Sequence, residues 1–569
     1  MSLITVGQAV VEVLKAEGVK YVFGIPGAQT ASLYDALYDT SEIRHIQVRH
    51  EQSASNMATA YAQLTGEPGV CTATTGPGAT NLVTGIAEAF CGALPVIALT
   101  GRVLTAMSEK GAQQDIPQDL MFAPITKWTI KVERADRVVE TLKLAFATAR
   151  SGKPGPVVVD IPMDIYMQPI EFNGYVPVGK PPASRGDAKN IKSAVDKMLK
   201  AKHPIIIAGG GVITSGAFTE LQQLAETLGI PVITSLSGRS AIPEDHPLAF
   251  GGLGLHRNEV SKKLLNEADF IIGLGFRFGE MDTNHMPGYI PAPGACHVKV
   301  DIDPTEMARN YVPDIGIVGD IKLVLSDILD IVNQSGGPDY RDKFHTIPRV
   351  KKLTVLKEQL ETAVGKPEGK DAKPLHPEAV INGIKEVFPP ETVLATDIGA
   401  LTQPMTVFPY LKVNAPRTCI TPTSLMAMGF SANSLPVAKL VHPNRPAVGI
   451  CGDGSFQMVM NVLPVAVQYK LPVTWCILND NGFGSIADVQ QMIYNSRFTE
   501  VDFTAQPDFA GIAKACQCYG EKVEEPNEIK PALARALEAN QQGVPAVLDF
   551  IVARERSKGA KDYFGALFE

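Results

Sequence analysis

Two short apolar runs, AVGIC at 447–451 and VTWCIL at 473–478, do most to constrain the fold of this chain. Between them lie a glycine turn, a helix-like stretch over about 459–469 and Pro472. Runs this short and this apolar, bounded by proline and glycine, read as buried strands. A strand, a helix and a second strand over this length fit a parallel crossover. Parallel strands of this kind belong to sheets whose two faces are both covered by helices. An α/β architecture is therefore expected.

The ends of the two runs carry the chemistry. Gly452-Asp453-Gly454-Ser455 follows the first and Asp480-Asn481-Gly482 the second, so both acids sit just past strand C-termini. Open α/β sheets bind ligands at that edge, where helix N-termini present bare amides. Gly452 and Gly454 permit close backbone approach there. Mg²⁺ takes about six oxygens and completes its shell with phosphates and water. Asp453, Asp480 and the Gly482 carbonyl could supply three. Either tripeptide alone is more simply a turn, and it is the pairing that points to a metal-bound diphosphate.

A chain of 569 residues is too long for one core and suits about three or four domains. With 45% hydrophobic and 20% charged residues it has the composition of an ordinary globular protein. A net charge of −8 without a long basic cluster argues against nucleic acid as a partner. The N-terminal residues read as an amphipathic helix, not a signal peptide, and no apolar run approaches a membrane span, so a cytoplasmic protein is expected. Cys71, Cys91, Cys451 and Cys476 lie in apolar stretches where reduced cysteine packs as a small hydrophobe. Cys516 and Cys518 lack a second pair at zinc-site spacing.

Apolar runs recur in three rounds. Residues 69–74, 96–99 and 157–161 read as strands of a domain over 1–175, with a Pro- and Gly-rich linker at 176–187. Residues 205–208, 232–235, 270–274 and 297–301 mark a central domain over 188–335. A third domain, 374–555, opens with a helix after His376-Pro377 and a strand at 393–395. Three consecutive doubly wound parallel-sheet domains are predicted.

The spacing of Gly452-Asp453-Gly454 and Asp480-Asn481 resembles the diphosphate motif of thiamine-diphosphate enzymes. FGIPG at 23–27, VRHEQ at 48–52, TGPGATN at 75–81 and PITK at 124–127 resemble the acetolactate synthase and glyoxylate carboligase group, with similarity from about Val6 to Val552. The resemblance implies pyrimidine-binding, middle and diphosphate-binding domains in that order. It also implies that the C2 carbon of the thiazolium ring adds to a carbonyl and stores electrons as carbon dioxide leaves.

Site residues follow from the same resemblance. Glu51 matches the carboxylate that bonds pyrimidine N1′; by itself it would be one more acid at a helix start. Thr75, Gly76, Pro77, Gly78 and Asn81 would flank the aminopyrimidine. Met428 matches the apolar support of the bent cofactor, although a methionine in such a stretch is usually core. Gly452, Asp453, Gly454, Ser455, Asp480, Gly482, Phe483 and Gly484 would hold diphosphate and Mg²⁺. Asp480 stands where many relatives carry Asn and resembles the catabolic acetolactate synthases there. Gly27 and Ala28 lie in the loop near the reacting carbon, with Ala28 in place of glycine, and Gln114 matches an active-site glutamine.

Several positions leave the acetolactate synthase pattern. Gln113 replaces Phe, Val489 falls where the substrate-gating Trp is expected, and Gly399-Ala400-Leu401-Thr402 replaces Gly-Gln-His-Gln. His50 is either a polar neighbour of substrate or a helix-start residue. The middle-domain sequences Gly209-Gly210-Gly211, Gly275-Phe276-Arg277-Phe278 and Asp301-Ile302-Asp303 resemble those of FAD-holding members, and glycines after a strand are a weak sign of a nucleotide. FAD stays open. The reaction implied is decarboxylation of a 2-oxo acid with carboligation to a second carbonyl compound. Alternatives are a simple 2-oxo acid decarboxylase, a glyoxylate carboligase-like enzyme or a 2-hydroxyacyl lyase, and more distantly a non-catalytic cofactor-binding protein. The glyoxylate carboligase reading is weakened by Glu51, which that enzyme lacks. The resemblance further implies a homodimer or homotetramer with sites between subunits.

Overall fold

The computed structural model describes residues 2–283, 293–364, 369, 371–399 and 402–554. It contains three parallel six-stranded sheets and a small antiparallel pair, Ser2–Thr5 with Pro169–Phe172. The chain is thus α/β with three doubly wound domains.

In the first sheet the spatial order is Arg44–Gln47, Tyr21–Gly24, Gly69–Ala73, Val96–Arg102, Pro156–Pro162, Trp128–Lys131. Numbered along the chain within the sheet, this is 2-1-3-4-6-5. The last sheet runs Cys419–Ile420, Val393–Thr396, Ala447–Gly452, Thr474–Asn479, Ala546–Ile551, Tyr519–Val523 and has the same 2-1-3-4-6-5 order. Each reverses its winding between its first and third strands, so a crevice opens beyond their C-terminal ends. That edge carries residues 25–28 and 74–78 in one sheet and 397–399 and 452–454 in the other.

The middle sheet is built differently, as Ala249–Gly252, Val232–Thr234, Pro204–Ala208, Phe270–Leu274, Cys296–Asp301 and Ile315–Val318, an order of 3-2-1-4-5-6. Its switch point falls between Pro204–Ala208 and Phe270–Leu274, where the glycine-rich loops emerge. Both of its faces are covered. Ile206, Ile272 and Val298 lie in one apolar cluster, while Ile205, Ile207 and Ile271 lie in another. The near-continuous apolar strands follow from this two-sided burial.

The compact units do not follow chain order. The described residues within 1–182, 422–443 and 458–472 form one, and those within 183–421, 444–457 and 473–554 the other. In the first, the short helices Phe430–Ser434 and Val437–Val441 pack on the helix Glu51–Thr65. The helix expected over about 459–469 is broken: a 3₁₀ turn, Met460–Val462, precedes an α-helix restricted to Leu463–Gln468. Pro464 causes the break, since it lacks an N–H and fits only the first turn of a helix. No helix among the described residues is long and apolar enough to cross a membrane.

Candidate active site

Glu51 is the first residue of the helix Glu51–Thr65, and His50 caps it by accepting the Gln52 N–H on Nδ1 at 3.2 Å. His50 thus fills the helix-start role. The Glu51 carboxylate is buried, and Asn81 Nδ2 donates to its Oε2 at 2.9 Å. The other oxygen, Oε1, faces Gly78, where an added Cβ would come within 3.4 Å of it and 2.9 Å of Thr74 Cγ2. One oxygen is fixed and the other is directed past a residue without a side chain. Gly27 is held to glycine by packing, because a Cβ there would lie 2.4 Å from Thr74 Cβ. Ala28 begins a 3₁₀ turn and is exposed.

Thr75 and Gly76 are held by a residue not foreseen from sequence. Gln118, fully buried, accepts from Thr75 Oγ1 and the Gly76 N–H on Oε1, each at 2.7 Å. Its Nε2 donates to Gly101 O at 3.1 Å and Asp160 Oδ1 at 2.8 Å. Asp160 pairs in turn with Arg102 at 2.9 Å. Burial pushes the Asp160 carboxyl up to about 6, against the pull of Arg102. Gly76 has φ 60°, and a Cβ on it would meet Gln114 O at 2.6 Å. Gln114, also at positive φ, therefore covers Gly76 with its backbone while its side chain is exposed. Pro77 opens the short helix Pro77–Asn81. Met428 is partly exposed and precedes Gly429, which has φ 79°.

The second group of residues lies in the other unit. Asp453 starts a helix directly after the strand Ala447–Gly452 and is almost fully buried. Its Oδ2 accepts from the Gly482 N–H at 3.1 Å and from Gln506 Nε2 at 2.6 Å, whereas its Oδ1 is buried without a hydrogen-bond partner. Gln506 also donates to Asn479 Oδ1 at 2.8 Å, so it ties the two strand ends together. Asp480 Oδ2 accepts from Arg554 Nε at 2.8 Å, and Arg554 reaches Asp502 at 2.9 Å. Neither Gln506 nor Arg554 was foreseen, as both join the site from distant segments with no local motif.

Three glycines here are dictated by contact. A Cβ on Gly454 would strike the Phe483 ring at 2.9 Å, one on Gly482 would lie 2.2 Å from Val501 O, and one on Gly484 would lie 2.5 Å from Asp480 Oδ2. Phe483 stacks edge-on to Phe503 at 4.8 Å. Ser455 is buried in the first turn after Asp453. Burial raises the pKa of both carboxyls; Asp480 raises Asp453 further, and Arg554 pulls Asp480 back.

The donor set suits a hard cation. An orphaned buried carboxylate oxygen next to a second carboxylate is relieved by a divalent ion. No cluster of three His, Cys, Asp or Glu able to hold a metal occurs among the described residues. Any cation here would need oxygens from another source, as Mg²⁺ does from phosphate.

The remaining sequence candidates are less telling. Val489 lies partly buried in the helix Gly484–Ile493, Gln113 is exposed, and Ala400 and Leu401 fall outside the described residues. Thr402 Oγ1 donates to Asp397 O at 3.0 Å. In the middle domain, a Cβ on Gly209 would approach Gly275 O to 2.2 Å, and one on Gly211 would approach Gly275 Cα to 2.7 Å. The protein's own backbone takes up the close approach that these glycines allow, so they are explained without a nucleotide. None of the eight cysteines is in a disulfide.

Switch-point loops thus carry a fixed carboxylate, Glu51, in one unit and a pair of buried carboxylates, Asp453 and Asp480, in the other. Family models agree: residues 4–121 match the thiamine pyrophosphate enzyme N-terminal TPP binding domain, 191–328 the central domain and 397–550 the C-terminal TPP binding domain. The chain belongs to the thiamine pyrophosphate enzymes, of the decarboxylase and carboligase kind. Within them it is similar to acetolactate synthase large subunits. The probable large subunit of Methanocaldococcus jannaschii is 36% identical over 96% of this chain and 91% of its own. Isozyme 3 of Escherichia coli is 34% identical over 95% and 93%, and the Haemophilus influenzae large subunit is 34% identical over 94% and 92%.

Proposed function

We propose that this enzyme decarboxylates a 2-oxo acid, with pyruvate as donor, and joins the remaining fragment to the carbonyl of a second molecule, using thiamine diphosphate and Mg²⁺. With pyruvate as both donor and acceptor the balance is two pyruvates to one 2-acetolactate and one carbon dioxide. When bound, thiamine diphosphate supplies a nucleophilic carbon that adds to the oxo carbon and takes up the electron pair released with carbon dioxide.

The observation that carries this reading is the Glu51 carboxylate, anchored by Asn81 through Oε2 and open at Oε1 toward Gly78. In this role Glu51 holds the proton shared with pyrimidine N1′. Thr75, Gly76, Pro77 and Gly78 present backbone to the ring face, and Met428 supports the ring junction. Asp453 and Asp480 hold Mg²⁺ against the diphosphate, with Gly452, Gly454, Ser455, Phe483 and Gly484 lining the cradle. The Gly482 N–H donates to Asp453, which keeps this loop beside the carboxylates, and the Gly482 carbonyl is the third protein oxygen of the proposed set. Gln114, Gly27 and Ala28 border the space of the reacting carbon.

The resemblance supports a homodimer or homotetramer, in which each site takes Glu51 from one copy and Asp453 from another. Exposed apolar side chains at Leu120, Ile486, Tyr494 and Phe498 are consistent with burial in an assembly. The deciding experiment is mass analysis of the products from pyruvate alone and from pyruvate with an aldehyde. Carbon dioxide with 2-acetolactate, or with the mixed hydroxyketone, is expected. Release of no carbon dioxide from any of a panel of 2-oxo acids would remove the reading, and an aldehyde as sole product would make the enzyme a simple decarboxylase.

A further inference from the structure

Outside the residues assigned above, the first unit holds a fully buried carboxylate whose side-chain partners all come from a single turn. Glu88, in the helix Val83–Gly92, is fully buried. Its Oε2 accepts from the Thr423 N–H at 2.8 Å and from Thr423 Oγ1 at 2.5 Å, and its Oε1 accepts from the Ala427 N–H at 2.7 Å. No Lys, Arg or His forms an ion pair with it among the described residues. Burial pushes the carboxyl above its usual range, and those three donors pull it back.

A buried carboxylate without a cation is costly unless its oxygens are fully hydrogen-bonded. What Glu88 holds is a strained turn. Met426 sits at φ 57°, a left-handed conformation that a long side chain rarely adopts, and its N–H closes the turn on Thr423 O at 3.1 Å. The carboxylate grips the amides on either side of it, at 423 and 427. Gly92 completes the fit, since a Cβ there would lie 2.5 Å from Thr423 Cγ2. The residue after Ala427 is Met428.

We propose that Glu88 is a positioning residue that templates the 423–427 turn and so sets where Met428 meets the cofactor. The inference rests on the Met428 role given above, and it adds a carboxylate that touches neither cofactor nor substrate. With the turn released, the diphosphate end keeps its own anchors while the ring end loses its support. Turnover should then fall more than cofactor affinity.

The test uses the full-length protein as Glu88→Gln, Glu88→Ala and Glu88→Ala with Met426→Gly. In the cofactor-free state, hydrogen exchange followed by mass spectrometry should show faster exchange in peptides covering 423–427 for both single variants. With thiamine diphosphate and Mg²⁺, kcat should fall about 10- to 100-fold, as for a reactive group misplaced by about 1 Å. The Kd for thiamine diphosphate should change by no more than about threefold, since distant groups contribute independently. Adding Met426→Gly to Glu88→Ala should recover part of kcat, because glycine adopts the turn without a template. Unchanged exchange at 423–427, kcat within about twofold of wild type, or failure of both single variants to fold would overturn the proposal. A wild-type protein that binds thiamine diphosphate yet decarboxylates no 2-oxo acid would count against the proposed function. The exchange and affinity measurements would still decide the role of Glu88.

Discussion

The role proposed for Glu51 rests on its surroundings. Its place at a helix start is ordinary, but Asn81 fixes one oxygen and Gly78 leaves the other accessible. Glu51→Gln keeps the shape and the Asn81 contact region while losing the proton acceptor. Thiamine diphosphate affinity should stay within a few-fold and kcat should fall about 10²- to 10⁴-fold, the range for a positioned acid or base. Steady-state carbon dioxide release beside a binding titration checks both. Asp160 makes a pH prediction. Its folded pKa, about 6 through burial, lies above the ordinary 3.8, so the native state keeps the proton longer than the unfolded chain. That contribution is complete below about pH 4 and is lost as pH rises through about 6, by at most about 3 kcal/mol. Asp160→Asn should lower the denaturant midpoint and flatten its fall between those pH values; an unaltered slope would contradict the assignment. The placement of residues with a local signature, such as Asp453 between two glycines just past an apolar strand, was legible in the sequence. Gln118, Gln506, Arg554 and Glu88 were not, because each works by reaching a segment far along the chain, and nothing in its own neighbourhood marks it as buried or paired.

At the scale of elements, legibility followed burial. Central strands such as Phe270–Leu274 and Thr474–Asn479 are buried along their whole length, carry no charge and stand out, whereas the edge strands Trp128–Lys131 and Tyr519–Val523 mix in charges and do not. The helix broken before Leu463 was misread because periodicity was given more weight than Pro464. The long helix Pro348–Val364 lies in a charged stretch where only the absence of strands could be foreseen. It is tied down by Lys357, whose Nζ donates to the carbonyls of Glu244 at 3.1 Å, His246 at 2.8 Å and Ala249 at 2.9 Å. Lys357 is buried and also lies over the Phe408 ring at 5.2 Å. Lys357→Met keeps the apolar stem and strands three acceptors, so it should destabilise the protein by about 2 to 4 kcal/mol with little effect on kcat. Thermal unfolding and activity of the same preparation check this. The middle sheet has the strand order common to dinucleotide-binding folds, yet its glycines serve loop-on-loop packing. The visible absorbance of the purified protein decides the flavin question: a flavin band, released on denaturation, places FAD there, and its absence leaves a structural domain.

For the whole molecule, the two sheets that carry candidate residues share one topology and, in the proposed reading, divide the labour. The first offers a single acid beside bare backbone, suited to a planar ring. The last offers paired carboxylates and helix amides, suited to a metal-bound diphosphate. The proposed assembly has a sharp consequence. If each site draws Glu51 from one subunit and Asp453 from another, two inactive variants can repair each other. Glu51→Gln and Asp453→Ala proteins, each inert alone, should regain activity when co-expressed. A random mixture of dimers is half heterodimer, and each heterodimer carries one intact site of two, so about a quarter of wild-type activity is expected. If both residues of a site come from the same chain, every site in the mixture keeps one lesion and activity stays at background. The comparison requires only that the two variants exchange subunits during folding, which differently tagged copies purified in tandem would verify. Recovery near a quarter supports shared sites, and recovery of none refutes them regardless of which 2-oxo acid proves to be the substrate.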